Sequence, residues 1–295
     1  AEVGFNFNNN IVIRGLTEEL SVFYIYEKFK KSTNDILILT STLLEANTMF
    51  EKLSTNTNKV KHFPMDDFIS SKTEAVSPDL ELKRLEFLKN INQENKIIVT
   101  NITGFLKKLS DINAKQFLIN LKKGMTINRK ELEEQIESFG YQKESIVTST
   151  REYAARGYIL DVFLTDSEHP IRIELDGNYI ESIRFFDEST QISIKEIDNI
   201  KIYPARELVT AVNSNILEYL NDATVIYYDY DQINYGINLV QKQILDENLE
   251  SNFYFLENLI VKNKVFISFT DNKIGNYPVT NYFSENIINF NSDYE

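Results

Sequence analysis

The sequence predicts an α/β protein whose parallel-sheet body is interrupted by a smaller, mostly antiparallel α+β insert. Three observations carry that reading. As far as Ser110, short and continuously apolar runs alternate with amphipathic stretches, the pattern of strands buried on both faces and joined by helices. From Leu121 the runs alternate apolar and polar residues, as half-buried antiparallel strands do. After Glu207 the continuous apolar runs return. Residues 1–120 and 208–295 are therefore expected to be two parts of one body, with 121–207 as a domain of its own.

In the first part, Asn10-Ile11-Val12-Ile13 is a short strand and Gly15 turns it into a helix. Thr17 caps that helix, and Glu18 and Glu19 fall in the first turn, where the dipole favours acid. Leu20, Phe23, Tyr24 and Ile25 supply its apolar face. Ile36-Leu37-Ile38-Leu39 is a buried-type strand, followed by a capping box, Thr42-x-x-Glu45. Leu43, Ala46, Met49, Phe50 and Leu53 then recur at helical spacing. Val60-Lys61-His62-Phe63 reads as a third strand ended by Pro64. Ser77-Pro78 opens a helix that carries Leu80, Arg84, Phe87, Leu88 and Ile91, and Ile97-Ile98-Val99-Thr100 is a fourth strand.

The insert begins with a helix capped by Asn128 and Glu131, apolar at Leu132, Ile136 and Phe139, and ended by Gly140. Alternating segments follow at 146–149, 153–164, 170–175, 179–186 and 200–203, with Asp176-Gly177-Asn178 as a hairpin turn. Beyond it, Thr224–Tyr228 and Val265–Phe269 read as strands, with helices around Leu217 and from Leu239 to Leu245. The last residues, Asn291-Ser292-Asp293-Tyr294-Glu295, form no low-complexity tail.

Composition narrows the function. The formal charge is −13 and the pI about 4.8, unfavourable for a protein that must neutralise phosphates, so DNA binding is disfavoured. Such acidity suits a partner with a basic surface. There is no cysteine, which removes disulfides, thiolate metal sites and cysteine nucleophiles. The two histidines, His62 and His169, lie outside any H-E-x-x-H spacing, so no zinc site is expected. No apolar run approaches a membrane span and no basic-then-apolar leader opens the chain, so a cytoplasmic location is expected.

Nucleotide chemistry would belong at the first strand–helix turn, Arg14-Gly15-Leu16-Thr17-Glu18-Glu19-Leu20. A P-loop needs G-x-x-x-x-G-K-[ST], so that amides and a lysine cradle phosphate and a hydroxyl holds magnesium. Here there is one glycine, no lysine and two acids that repel phosphate. Asp66-Asp67 and Asp229-Tyr230-Asp231 match no cation loop and read as solvated carboxylates, and Tyr227-Tyr228 read as half-buried strand residues. No Ser/His/Asp spacing stands out. Neither a catalytic residue nor a bound cofactor is expected in this chain.

The informative stretch is Arg151-Glu152-Tyr153-Ala154-Ala155-Arg156-Gly157-Tyr158-Ile159-Leu160-Asp161-Val162-Phe163. In order after it come Ile171-Arg172-Ile173-Glu174-Leu175-Asp176-Gly177, then Ile180-Glu181-Ser182-Ile183-Arg184-Phe185-Phe186-Asp187, then Tyr203-Pro204-Ala205-Arg206-Glu207. This series resembles the second-domain signature shared by the excision-repair protein UvrB and the bacterial transcription-repair coupling factors. The likeness extends more faintly over Phe63-Pro64, Ser77-Pro78 with Arg84, and Ile98-Val99-Thr100. UvrB carries an intact P-loop and a damage-sensing hairpin. This chain lacks the loop and has no room for the hairpin between Phe63 and Ser77, as in the amino-terminal region of the coupling factors.

The resemblance implies a vestigial, helicase-like body with a degenerate P-loop and an insert that binds UvrA, the damage-recognition ATPase. Carried over position by position, it places Arg156, Arg172 and Glu174 on the docking face, Phe163 as a nearby aromatic, and Gln142 with Lys143 where relatives have an arginine. Alternation turns Ile171, Ile173 and Leu175 inward, leaving Arg172 and Glu174 as exposed neighbours on the other face. Ala154 stands where UvrB has another arginine and Arg151 where a glycine is usual; Gly157 is expected in a close-packed strand and Asp161 as a turn-facing carboxylate. The resemblance further implies that RNA polymerase and DNA are engaged by regions beyond residue 295, that ATP and magnesium belong to motor domains there, and that a later domain masks the docking face. Two alternatives stand beside this: a UvrB-like DNA-dependent ATPase with a diverged loop, and a module that clamps DNA.

Overall fold

A computed structural model describes residues 4–72, 77–111, 118–208 and 211–282. Residues 73–76, inside the stretch judged too short for a hairpin, and the terminal Asn291–Glu295 lie outside the described residues. The chain divides into two compact units, one of residues 1–109 with 214–295 and one of residues 110–213.

The first unit is built on Ile11–Arg14 (β1), Glu18–Lys31 (α1), Ile36–Thr40 (β2), Leu43–Ser54 (α2), Val60–Phe63 (β3), Pro78–Lys89 (α3), Ile97–Asn101 (β4) and Ile102–Leu106 (α4). The chain leaves it at Leu109–Ser110 (β5). The second unit contains Ile119–Lys122 (β6), Arg129–Ser138 (α5), Gln142–Lys143 (β7), Glu152–Arg156 (β8), Ile159–Val162 (β9), Ile171–Asp176 (β10), Tyr179–Phe186 (β11), Ser193–Ile197 (β12) and Asn199–Ile202 (β13). The chain returns through Asn213–Ser214 (β14) to Thr224–Tyr228 (β15), Tyr230–Asp246 (α6), Asn263–Ser268 (β16) and Val279–Asn281 (β17).

The first unit's sheet runs β17-β1-β16-β15-β2-β4-β3, with every neighbouring pair parallel. Strands from after the insert lie between strands from before it: Ile13 is in register with Ile267, and Ile226 with Ile38. Neither sequence piece could close this sheet alone. Alternation splits each strand between two cores. Leu37, Leu39, Ile98, Tyr227 and Phe266 pack with Phe87, Phe105, Ile233 and Ile237 of α3, α4 and α6. Ile36, Ile38, Val99 and Ile267 pack with Tyr24, Ile25, Met49 and Leu53 of α1 and α2. The α/β parallel sheet read from the sequence is confirmed.

The cap of α2 is more elaborate than its sequence box. Thr42 Oγ1 accepts from Glu45 N at 3.2 Å, and Glu45 accepts from Ser41 rather than from the cap residue. Asp67 accepts from Leu43 N at 2.9 Å and from Asn101 Nδ2 at 2.9 Å. Asp66 accepts from Ser77 N and Oγ at 3.0 and 2.7 Å. Both acids also act as structural acceptors, holding a helix start and a loop, while Asp67 stays exposed as the sequence suggested and Asp66 is partly buried. Tyr227 and Tyr228 are buried outright, Tyr227 stacked 5.0 Å from Phe266.

In the second unit the sheet runs β12-β11-β10-β9-β8-β7, antiparallel apart from the β7–β8 edge. Helix α5 sets Leu132 and Ile136 against Tyr153, Leu160, Ile173 and Ile183, while β6 and β13 form a separate antiparallel pair. Asn128 caps α5 by accepting from Lys130 N and Glu131 N. This is the antiparallel insert anticipated from the sequence. Two segments depart from expectation. The run 153–164 is not one strand but β8 and β9, paired antiparallel around a turn. Residues 146–149 are loop, because the Glu152 carboxylate takes Thr148 N and Ser149 N at 2.7 and 3.0 Å and removes those donors from any ladder.

Candidate docking face

The face of the six-stranded sheet opposite α5 is charged. On β10, Ile171, Ile173 and Leu175 enter the core beneath α5, so Arg172 and Glu174 project to the other side. Register supplies their neighbours. Arg172 lies opposite Asp161 on β9 and Arg184 on β11, and Glu174 lies opposite Ser182.

Two ion-pair clusters result. Asp161, wholly buried, accepts from Arg172 Nε at 2.8 Å and Nη2 at 2.9 Å, a bidentate fork, and from Arg156 Nη2 at 3.1 Å. Arg172 Nη2 also donates to Gln191 at 2.6 Å, and its guanidinium lies 4.1 Å from the Phe186 ring centroid. Beside this cluster, Glu174 accepts from Arg184 Nη2 at 2.6 Å and from Ser182 Oγ at 3.0 Å. The Arg184 bond holds the Glu174 carboxyl below the usual range, helped by Ser182 and by the charge of Arg172. The Arg184 guanidinium is raised in turn by its bond to Glu174.

A model of the UvrB interaction domain matches residues 119–208. That span contains every strand of this sheet. The chain carries a UvrB interaction domain. Around that domain the chain is homologous to transcription-repair-coupling factor. It is 27% identical over 229 residues to the factor of Staphylococcus epidermidis, an alignment covering 75% of this chain and 19% of the relative. Against the factor of Bacillus subtilis the identity is 28% over 204 residues, covering 67% and 17%. Against that of Staphylococcus aureus it is 28% over 228 residues, covering 75% and 19%. The chain thus spans about a fifth of the length of the curated relatives it matches.

Within the UvrB interaction domain, the six residues singled out from the sequence separate. Arg156, whose side chain is 43% exposed, reaches solvent while anchored on Asp161. Glu174 is half-buried. Arg172 is not the exposed neighbour of Glu174 that alternation suggested: it is 8% exposed, because Asp161 and Phe186 from flanking strands enclose it. Phe163 is also buried, in a small cluster with Val147, Ala154 and Phe186. Gln142 and Lys143 are exposed on the edge strand β7. Lys143, however, turns toward α5, 3.6 Å from Glu133 and over the Tyr153 ring, away from the arginines.

Two framework residues differ from expectation. Gly157 occupies the β8–β9 hairpin turn at φ +52°, and a Cβ there would meet nothing within 4 Å, so conformation and not close packing requires it. Asp161 is a strand residue at the centre of the arginine cluster, not a turn carboxylate. Sequence reasoning also missed Arg184, Ser182 and Gln191 as members of the face. Arg184 was legible, since it shares its side of β11 with Ser182, opposite Glu174. Gln191 was not, because it arrives from a turn at φ +62°.

The other candidate, the β1–α1 turn of the first unit, is closed by its own residues. Gly15 is at φ +84°, Leu16 is buried, and Thr17 Oγ1 accepts from Leu20 N at 3.2 Å. Glu18 pairs with Lys52 at 2.9 Å at the helix start. Among the described residues, no helix is long and apolar enough to cross a membrane.

Proposed function

We propose that this chain is the non-catalytic docking module of a bacterial transcription-repair coupling factor, and that its insert recruits UvrA. The observation that carries the reading is the ordered ion-pair face, in which buried Asp161 fixes Arg172 and presents Arg156 beside the Glu174–Arg184 pair. Charged groups already held in place lose little freedom on binding, and they set partner choice and register. In this reading Arg156 and Glu174 touch UvrA, whereas Arg172 and Phe163 hold the face in shape from beneath.

The closed β1–α1 turn supports a chain that neither binds nor hydrolyses ATP. The acidity supports a protein partner over DNA. Polymerase displacement, ATP with magnesium, and contact with DNA are assigned to parts of the factor beyond residue 295. The setting is the cytoplasm, where excision repair acts. A titration of the chain against UvrA tests this, with wild type beside Arg156→Ala and Glu174→Ala. Loss of a charged interfacial contact costs about 2–5 kcal/mol, so either variant should bind at least tenfold more weakly. Full affinity in both would move the site elsewhere.

A further inference from the structure

The backbone at one end of the β10–β11 ladder brings together three side chains distant in sequence. Phe186 N donates to Pro170 O at 3.1 Å, which sets His169, just before Pro170, beside Asp187 and Glu188, just after Phe186. One ligand atom from each of these three residues lies within 4.8 Å of the others.

Two of those atoms are short of partners. His169 Nδ1 and Glu188 Oε2 are both buried, and neither has a hydrogen-bond partner among the described residues. They stand 3.7 Å apart, beyond hydrogen-bond reach. The two side chains are each about a third exposed, 32% and 30%, so the pair lies within reach of solvent and lacks only a directly bonded partner. The hydrogen bonds to Asp187, from Ser189 N, Thr190 N and Thr190 Oγ1, all enter at Oδ1, which leaves Oδ2 for another contact.

We propose that His169, Asp187 and Glu188 form a binding site for a divalent transition-metal ion such as Zn2+. The 3.7 Å separation lies between the tetrahedral edge of about 3.4 Å and the ceiling of about 4.2 Å for two ligands each about 2.1 Å from zinc. The third ligand atom, from Asp187, lies within 4.8 Å of the other two, so it must close in to complete the set. One neutral imidazole and two carboxylates neutralise a dication, and water completes the shell. The imidazole selects zinc, nickel or copper over magnesium or calcium. Sequence spacing could not show the site, because His169 and the two acids come from opposite sides of a hairpin.

The ion would also act on the face described above. Glu188 O accepts from Gln191 Nε2 at 2.8 Å, and Gln191 Oε1 in turn accepts from Arg172. A metal that anchors the 187–191 turn therefore steadies the residue that holds Arg172. The site itself does not depend on what that face binds.

Isothermal titration of the untagged chain with ZnCl2 at pH 7.5, repeated in excess MgCl2, is the test. One equivalent of zinc should bind with magnesium present. Binding should be lost in His169→Ala and Glu188→Gln, retained in His62→Ala, and accompanied by a rise in Tm in the wild type alone. Circular dichroism keeps folding separate from binding. No saturable uptake by the folded wild type, or uptake that survives His169→Ala, overturns the proposal. Either result leaves the UvrA titration unaffected.

Discussion

Replacing Asp161 with alanine deletes the acceptor of three hydrogen bonds from two guanidinium groups. The two from Arg172 matter most, because its side chain is only 10% exposed and cannot turn to water. Charge-assisted bonds contribute about 1.5–3 kcal/mol each, and stranding a buried charge costs about 3–5 kcal/mol. The third bond, to the half-exposed Arg156, adds no more than about 1 kcal/mol. Gln191 and the Phe186 ring remain to stabilise the orphaned cation in part, so a net loss of about 3–4 kcal/mol is expected. A domain at the low end of ordinary stability, about 5 kcal/mol, would be left close to unfolding. Hydrogen–deuterium exchange followed by mass spectrometry measures this in the intact chain, by reading peptides of the insert separately from those of the parallel-sheet unit. Protection should fall across β8 to β11 and stay unchanged in β2 and β4. Adding Arg172→Met to an Asp161→Leu variant should restore most of it, since no charge is then left unpaired. A loss below about 1 kcal/mol in Asp161→Ala would refute the view that this carboxylate organises the face.

Three further outcomes follow from particular contacts. Arg151 stands at φ +71°, and its buried Nη2 has no hydrogen-bond partner among the described residues, so Arg151→Gly should raise stability by about 1 kcal/mol, measured by urea denaturation. Burial, and then the charge of Lys83, pushes the His62 imidazole down from 6.5 to about 4. The unfolded chain therefore binds the extra proton, and the stability His62 permits is whole above pH 6.5 and lost as pH falls toward 4. His62→Phe, which keeps the stack on Phe50, should flatten the fall in Tm between about pH 7 and 5; an unchanged slope refutes this assignment. A Cβ on Gly104 would sit 2.3 Å from Thr100 Oγ1 and 3.0 Å from Phe63 O, so Gly104→Ala should cost about 1–3 kcal/mol in the same urea assay.

Much of this protein was legible in the chain itself. The caps at Thr17, Thr42 and Asn128, the buried strand at Ile36–Leu39, the Gly177 hairpin and the return of α/β pattern after the insert are rules between residues a few positions apart. Such rules act before any tertiary contact forms. The ordered signature from Arg151 to Glu207 likewise sufficed to name the family of the insert. What lay beyond reach was the state of individual side chains on the charged face. Alternation assigned Arg172 to the correct side of β10, yet its burial depends on Asp161 from β9, Phe186 from β11 and Gln191 from a later turn. Lys143 was adjacent to Gln142 in sequence and faces the other way, because neighbouring strand residues point to opposite sides. Nor could the sequence show that Asp66 and Asp67, though solvent-accessible, accept from Ser77, Leu43 and Asn101, which only the fold brings to them. Sequence determined the elements and their order, since those rest on local periodicity and turn chemistry. Tertiary structure alone decided which charges are buried, paired or free, since that depends on strand register, which brings together residues the chain keeps far apart.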